Sequence, residues 1–163
     1  MNRHLIFALC AVLGFSVSMA QDLPSDKEVA AQAAKAAKVK FKWGKSMKSA
    51  QKQSEETGLP IVLLFTGTSW CVFCMKLEKE ILSQKEFKKG MDGVAIGVKF
   101  EFGSSDFSKS KEAKEYGIRG VPAIVVVDAK GKELGRTGYV PGMTPAKYVE
   151  FFKKYAPKTA EAK

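Results

Sequence analysis

The chain has 163 residues, a formal net charge of +10 and a hydrophobic fraction of 45%. This length suits a single domain with one core. The lysines are scattered along the sequence, without a basic cluster interleaved with aromatic residues, so we do not expect a nucleic-acid-binding protein. A solvated basic surface explains the charge, and attraction to an anionic membrane surface or an acidic partner is the alternative.

The first twenty residues have the pattern of a secretory signal peptide. Arg3 and His4 form a short positive segment, residues 5–17 are uncharged and apolar, and Ser18 and Ala20 are small residues at the expected positions. This pattern predicts cleavage after Ala20 and a periplasmic or secreted protein. The apolar run is shorter than the roughly 20 residues that cross a bilayer, so we expect no stable membrane span after cleavage. A retained N-terminal anchor is the alternative.

Removal of this peptide would leave Cys71 and Cys74 as the only cysteines, in a chain without histidine. A zinc ribbon would then lack two ligands, and a hydrolase that depends on histidine would lack its base. Covalent haem attachment needs a histidine directly after Cys74, where Met75 stands. Cys10 lies in the discarded peptide, and its lipidation is an alternative that Leu9 disfavours, since a small residue is wanted there.

Turn and capping signals divide the remaining chain into three parts. We expect a helical or flexible leader over residues 21–40, one folded domain over 41–156 and a polar tail over 157–163. Predicted helices cover residues 25–38, 46–57, 71–83 and 111–116. A short helix around Phe87 is predicted from a capping box formed by Ser83 and Glu86. A final helix begins at Thr144-Pro145 and is expected to turn Val149, Phe152 and Tyr155 toward the core. Predicted strands cover residues 61–66, 94–100, 123–128 and 133–137.

The segment 70–74, Trp-Cys-Val-Phe-Cys, joins the first of these strands to the helix that follows it. Two cysteines at this spacing and in this position form a reversible disulfide, with a metal site or a structural staple as alternatives. A staple that closes so short a loop removes little entropy from the unfolded chain. Cys71 would lie at the helix N-terminus, where unpaired N–H groups stabilise a thiolate, and the thiolate is the nucleophile in disulfide exchange.

With these elements in this order, the chain resembles the thioredoxin-fold superfamily, and most closely its exported bacterial thioredoxin-like branch. The resemblance rests on Trp-Cys-x-x-Cys after the central strand and on a second landmark at residues 116–122, Tyr-Gly-Ile-Arg-Gly-Val-Pro. It covers residues 41–155. It implies an α/β fold, with a central mixed β-sheet flanked by helices and an N-terminal helical extension.

The resemblance also implies a thiol–disulfide oxidoreductase that acts on exported protein clients and exchanges electrons with a redox partner. Cys71 would attack the client disulfide, and Cys74 would resolve the mixed disulfide. Pro122 would follow a cis peptide bond beside the cysteines, and Val121 would offer its backbone to an extended substrate. Trp70 would shield one side of the sulfurs. No cofactor beyond the disulfide and no metal is expected, and we expect a monomer.

Three positions depart from the usual thioredoxin pattern. Val72 and Phe73, which the resemblance identifies as tuning the redox potential, match neither the reducing nor the strongly oxidising members, so the direction of electron flow stays open. Phe65 stands where many thioredoxins carry a buried carboxylate. Lys99 and Glu101, on one face of the next predicted strand, are the candidate substitutes in proton transfer to the second cysteine. A binding module without turnover and a basic adaptor at the envelope membrane are the alternative functions.

Overall fold

The structure is a computed structural model that describes residues 26–104 and 106–157. The predicted signal peptide, its cleavage site, Cys10 and residues 158–163 lie outside these ranges. Within them the helices are α1 (Asp26–Ala36), α2 (Met47–Thr57), α3 (Val72–Leu77), α4 (Lys85–Gly90), α5 (Lys111–Glu115) and α6 (Pro145–Lys153). The strands are β1 (Trp43–Gly44), β2 (Ile61–Thr66), β3 (Ile96–Glu101), β4 (Ala123–Val127) and β5 (Glu133–Gly138). A π-helical turn (Glu78–Leu82) follows α3, and a 3₁₀ turn (Phe107–Lys109) precedes α5.

The five strands form one mixed sheet in the order β1-β3-β2-β4-β5. Parallel pairing joins β1 to β3 and β3 to β2, whereas β2 with β4 and β4 with β5 are antiparallel. In the central strand β2, Phe65 is opposite Phe100 on one side and Ala123 on the other. The predicted fold class, a central mixed sheet flanked by helices with an N-terminal helical extension, is confirmed.

All six residues of β2 are buried, because helices cover both faces of the sheet. Val62 and Leu64 pack in a core with residues from α3, the π-helical turn, α4 and α6. The alternate residues of β2 pack in a second core against α1, α2 and α5. A strand buried on both faces reads as a continuous apolar run, which is the pattern that predicted it.

Several predicted helix ends are observed. The Ser46 hydroxyl accepts a hydrogen bond from the Ser49 N–H at the start of α2, and Gly58 ends that helix in the left-handed conformation with φ 70°. Thr144 caps α6 in the same manner and is followed by Pro145 at the first helical position. Among the described residues, no helix combines the length and the apolar character that crossing a bilayer requires.

The capping box predicted for Ser83 and Glu86 is wrong. The π-helical turn carries the preceding helix on to Leu82, so the Ser83 N–H still donates to the Glu78 carbonyl and Ser83 ends that turn. Its hydroxyl donates to the Glu78 carboxylate at 3.1 Å, and α4 begins after Gln84 without a side-chain cap.

Strand β1 was not predicted, because two residues are too few to show an alternating pattern.

Candidate active site

The two cysteines lie where the chain leaves β2 and enters α3. Cys71 is the N-cap residue of α3, with φ −95° and ψ 109°, and its carbonyl accepts the first intrahelical hydrogen bond from the Met75 N–H at 3.0 Å. A turn directly before it is closed by the Cys71 N–H, which donates to the Gly67 carbonyl at 2.8 Å. Strand β2 and this turn together hold Cys71 at the start of the helix.

Cys71 and Cys74 form a disulfide, with Cα atoms 5.2 Å apart. Cys71 is 8% exposed and Cys74 is 1% exposed, so a sulfur that approaches from solvent reaches Cys71 first. The Cys74 backbone N–H donates to the Cys71 Sγ at 3.2 Å. In the reduced protein the same donor would stabilise a thiolate at Cys71, because hydrogen bonds to an ionised acceptor are stronger than neutral ones.

The second landmark lies beside this disulfide. The Val121–Pro122 peptide bond is cis, as the resemblance implies. The Val121 carbonyl oxygen lies 3.5 Å from the Cys71 Sγ. Because that sulfur is oxidised and carries no proton, this is a contact and not a hydrogen bond. Arg119 and Gly120, directly before Val121, are exposed, so the backbone approaching Cys71 borders on solvent.

Trp70 is held in place by the loop that precedes it. A Cβ built on Gly67 would lie 2.5 Å from atoms of the Trp70 indole, so the ring occupies space that only glycine leaves free. The indole N–H donates to the Phe102 carbonyl at 2.8 Å. Even so, 40% of Trp70 is exposed, next to Cys71 in the chain. The ring is therefore fixed and partly accessible at the edge of the site.

Val72 and Phe73 point away from the core. Val72 is 59% exposed and Phe73 is 55% exposed, whereas Cys74 and Leu77 are the buried residues of α3. The centroid of the Phe73 ring lies 5.9 Å from that of Tyr139. The predicted redox-tuning residues therefore form part of the surface around the cysteines.

The position of the missing carboxylate is filled by an aromatic cluster. Phe65 is fully buried, and its ring lies 5.1 Å from Phe100, 6.4 Å from Phe102 and 6.2 Å from Tyr116, centroid to centroid. Burial raises the pKa of the Tyr116 phenol, with smaller contributions from nearby acidic groups, so this cluster stays uncharged at neutral pH. The cluster offers no acceptor for a proton.

The two candidate substitutes for that carboxylate are each bound to another side chain. The Lys99 ammonium pairs with the Glu78 carboxylate at 3.1 Å, and Glu101 accepts a hydrogen bond from the Thr68 hydroxyl. Glu78 lies four residues after Cys74, on the same face of the helix, and its N–H donates to the Cys74 carbonyl. Lys99 and Glu101 also line an open cleft of about 360 Å³ beside β1. The sequence places Glu78 four residues after Cys74, with lysines nearby to pair with it, and the structure shows Lys99 as that partner.

Sequence reasoning also missed Tyr139, which contacts Phe73, and the acceptor of its hydroxyl, Glu80. Tyr139 follows β5, and its hydroxyl donates to the Glu80 carboxylate at 2.6 Å. No sequence signal connects Tyr139 to the cysteines, because the contact depends on the path of the hairpin back across the sheet.

Within the described part of the chain, no group of three or more His, Cys, Asp or Glu residues is placed to hold a metal ion.

Comparison with known proteins places this geometry in a family. The profile of the thioredoxin-like domain family matches residues 47–153, which include both cysteines and the Val121–Pro122 landmark. A solved structure described as the DsbH oxidoreductase is 32% identical, covers 73% of this chain and 86% of its own, and superposes with a TM-score of 0.58.

Two curated relatives come from Chlamydia pneumoniae. The disulfide bond reductase DsbH is 36% identical over 105 residues, which is 60% of this chain and 63% of the relative. The thioredoxin-related protein DsbJ is 35% identical over 60 residues, 37% of this chain and 17% of the relative. The matched regions therefore span less than two thirds of either curated relative. The match to the family profile covers more than half of this chain, and the chain belongs to the thioredoxin-like domain family.

Proposed function

We propose that this protein is a thiol–disulfide oxidoreductase that acts on exported proteins through Cys71 and Cys74. The observation that carries the proposal is the placement of Cys71, the more exposed of the pair. Its sulfur accepts the Cys74 N–H at 3.2 Å and lies 3.5 Å from the Val121 carbonyl. A nucleophilic sulfur, a donor that stabilises its anion and a backbone edge for the client thus meet at one point.

The exchange takes two steps. In the reduced protein, the Cys71 thiolate attacks one sulfur of a client disulfide, so that the client S–S bond breaks, a mixed disulfide forms and the departing client thiolate takes up a proton. Cys74 then loses its proton and attacks the Cys71 sulfur, which releases the second client thiolate and forms the Cys71–Cys74 disulfide. Two electrons pass from the cysteine pair to the client. A redox partner of the dithiol class would reduce the pair again, and the reverse sequence would deliver a disulfide.

We propose reduction of the client as the working direction. The support is the match to a relative named as a disulfide bond reductase, 36% identical over 105 residues. Val72 and Phe73 between the cysteines would tune the redox potential, and Trp70, Val121 and Pro122 would contact the client. The disulfide itself is the only redox group that this reaction requires, and the protein would act as a monomer.

Turnover is tested by reduction of insulin with dithiothreitol as the electron source. We expect the wild type to accelerate reduction, Cys71→Ser to abolish the acceleration, and Cys74→Ser to accumulate a mixed disulfide that non-reducing electrophoresis detects. Lys132→Ala, at an exposed position of the β4–β5 hairpin, is the matched control. Full activity of Cys71→Ser would overturn the proposal. Stable client binding by the wild type without turnover would instead identify a binding module.

We also propose that the mature protein works outside the cytoplasm, in the periplasm or after secretion. The support is the signal-peptide pattern of the first twenty residues together with the Dsb-type relatives. Expression of the full chain in a bacterial host, fractionation and mass spectrometry of the intact protein test this proposal. A mature protein that begins at Gln21 in the envelope fraction is expected, whereas an uncleaved chain in the cytoplasm would contradict it.

A further inference from the structure

An exposed apolar surface adjoins the cysteines on the side of α3 and the β5–α6 connection. We call it the apolar ledge and define it as Phe73, Tyr139 and Val140. Phe73 is 55% exposed, Val140 is 43% exposed and Tyr139 is half-buried. The Phe73 and Tyr139 rings are 5.9 Å apart and inclined by 30°, so they present adjoining apolar faces.

Hydrogen bonds fix the side chain of Tyr139 and the backbone on either side of it. The Tyr139 hydroxyl donates to Glu80 on the π-helical turn, and this hydrogen bond raises the pKa of the Tyr139 phenol. The fully buried Tyr148 of α6 fixes the backbone: its hydroxyl donates to the Gly138 carbonyl at 2.7 Å and accepts the Val140 N–H at 2.9 Å. A surface whose side chains are already ordered loses less conformational entropy when a ligand covers it.

The ledge is also continuous with the cysteines and the Val121 backbone. Phe73 stands between Cys71 and Cys74 in the first turn of α3. At the other end, Gly138 pairs with Ala123, and a Cβ built on Gly138 would lie 3.0 Å from the Pro122 carbonyl. A polypeptide bonded to Cys71 and extended along Val121 therefore passes beside the ledge.

We propose that the apolar ledge selects among clients by binding an apolar side chain within about three residues of the client cysteine that bonds to Cys71. This inference rests on the proposed function. The Lys76 ammonium lies 5.9 Å from the Phe73 ring centroid and makes the edge of the ledge cationic, which disfavours a basic client side chain at the same place. Phe73 is the specificity-determining residue, and Tyr139 positions it.

Three disulfide peptides that differ only in the residue next to the cysteine, which is Leu, Ser or Lys, test the proposal with the full protein. Hydroxyethyl disulfide, which is too small to reach the ledge, serves as the reference substrate. For the wild type we expect the kcat/KM for the Leu peptide to exceed that for the Ser peptide by about tenfold, with the Lys peptide slowest. Each value is divided by that for hydroxyethyl disulfide, because a change in redox potential alters all four rates together.

The variants separate the ledge from the redox chemistry. Phe73→Ser and Tyr139→Ala are expected to reduce the Leu-to-Ser ratio to about twofold or less, mainly by raising KM for the Leu peptide. Tyr139→Phe, which keeps the ring and loses the bond to Glu80, is expected to retain part of the preference. Leu134→Ala is the matched control, because Leu134 is an exposed apolar residue, 42% accessible, at the far end of β5.

The outcomes distinguish the two proposals. Turnover of all substrates with a Leu-to-Ser ratio near one, or a ratio that survives both Phe73→Ser and Tyr139→Ala, would overturn the ledge and leave the oxidoreductase function in place. No turnover of any substrate by the wild type would overturn both.

Discussion

Phe65 and Phe100 stack across the parallel pair of β2 and β3, with ring centroids 5.1 Å apart and ring planes inclined by 25°. They are opposite each other in the strand register. Phe65 occupies the place of the buried carboxylate of many thioredoxins, so in this protein that place belongs to the core. Any proton that the second cysteine gives up must leave by another route.

Because an aromatic cluster surrounds position 65, we expect a carboxylate introduced there to destabilise the protein. Phe65→Asp should destabilise the protein by at least about 3 kcal/mol, because it removes a buried ring and leaves a polar group without a partner. Chemical denaturation monitored by far-ultraviolet circular dichroism measures the change. Phe65→Leu is the control and should cost less, since it keeps the site apolar. A Phe65→Asp variant as stable as Phe65→Leu would show that water or a polar group reaches this position.

We expect Glu78 to assist the second step of exchange. It is the carboxylate one helical turn beyond Cys74, and its partner Lys99 lines an open cleft. Glu78→Gln should slow the release of the client from the mixed disulfide several-fold and change the pH dependence of that step, while the first attack by Cys71 proceeds as before. Rapid-quench measurements separate the steps. Glu86→Gln, an exposed residue of α4, is the control, and equal effects of both variants would contradict the role of Glu78.

We expect the Asp92 carboxylate to make a pH-dependent contribution to the free energy of unfolding. The Phe41 N–H donates to its carboxylate at 2.8 Å, and this bond, followed by the bond to Lys40, holds the pKa of Asp92 below its usual 3.8. A lowered pKa means that the contribution is present above pH 3.8 and is lost as the pH falls through the pKa of the folded state. Asp92→Asn should therefore cost about 1 kcal/mol at pH 7 and progressively less below pH 3.8.

Denaturation of the wild type and Asp92→Asn between pH 7 and pH 2 measures this contribution. Lys40→Ala is the control. Lys40 is 82% exposed, so the loss of its ion pair should matter less than the loss of the bond to the backbone. A cost for Asp92→Asn that grows on acidification would contradict the assignment.

We expect the two buried hydrogen bonds of the Tyr148 hydroxyl to contribute to the free energy of unfolding. Tyr148→Phe leaves the Gly138 carbonyl and the Val140 N–H without their partner, and should cost about 1–3 kcal/mol. Burial raises the pKa of the Tyr148 phenol above 10.0, so the wild type should lose stability as the pH rises past 10, and Tyr148→Phe should lose less. Thermal unfolding measures both effects. Tyr139→Phe removes a more exposed hydroxyl and should cost less; an equal cost would count against this account.

Local patterns predicted the centre of the fold. Strand β2 was predicted over the residues that form it, because complete burial on both faces requires an uninterrupted apolar run. The position of the Cys71–Cys74 pair at the start of a helix followed from that strand and its loop. The cis bond before Pro122 came from the resemblance and is present. The strand and the helix start depend on short local segments, whereas the cis bond was predicted from a family motif.

Features that depend on tertiary contact were missed. The π-helical turn moved Ser83 out of its predicted capping role, because a single additional residue in a turn leaves no mark in the apolar pattern. The contact of Phe73 with Tyr139 joins α3 to the end of the hairpin, and no local signal records it. The sequence indicates that Glu78 pairs with a nearby lysine, but the identity of that lysine, Lys99 on β3, became evident only from the packing of α3 on the sheet.

The pairing of Phe65 with Ala123 brings together the two chain segments that form the site. The chain that leaves β2 shortly after Phe65 reaches Cys71, and the chain that enters β4 at Ala123 has just passed Val121. Cys71 and the Val121 backbone thus both lie just beyond the same end of the pairing between β2 and β4. Their separation is therefore set by the pairing of β2 with β4, and we expect these strands to keep their register when the Cys71–Cys74 disulfide is reduced.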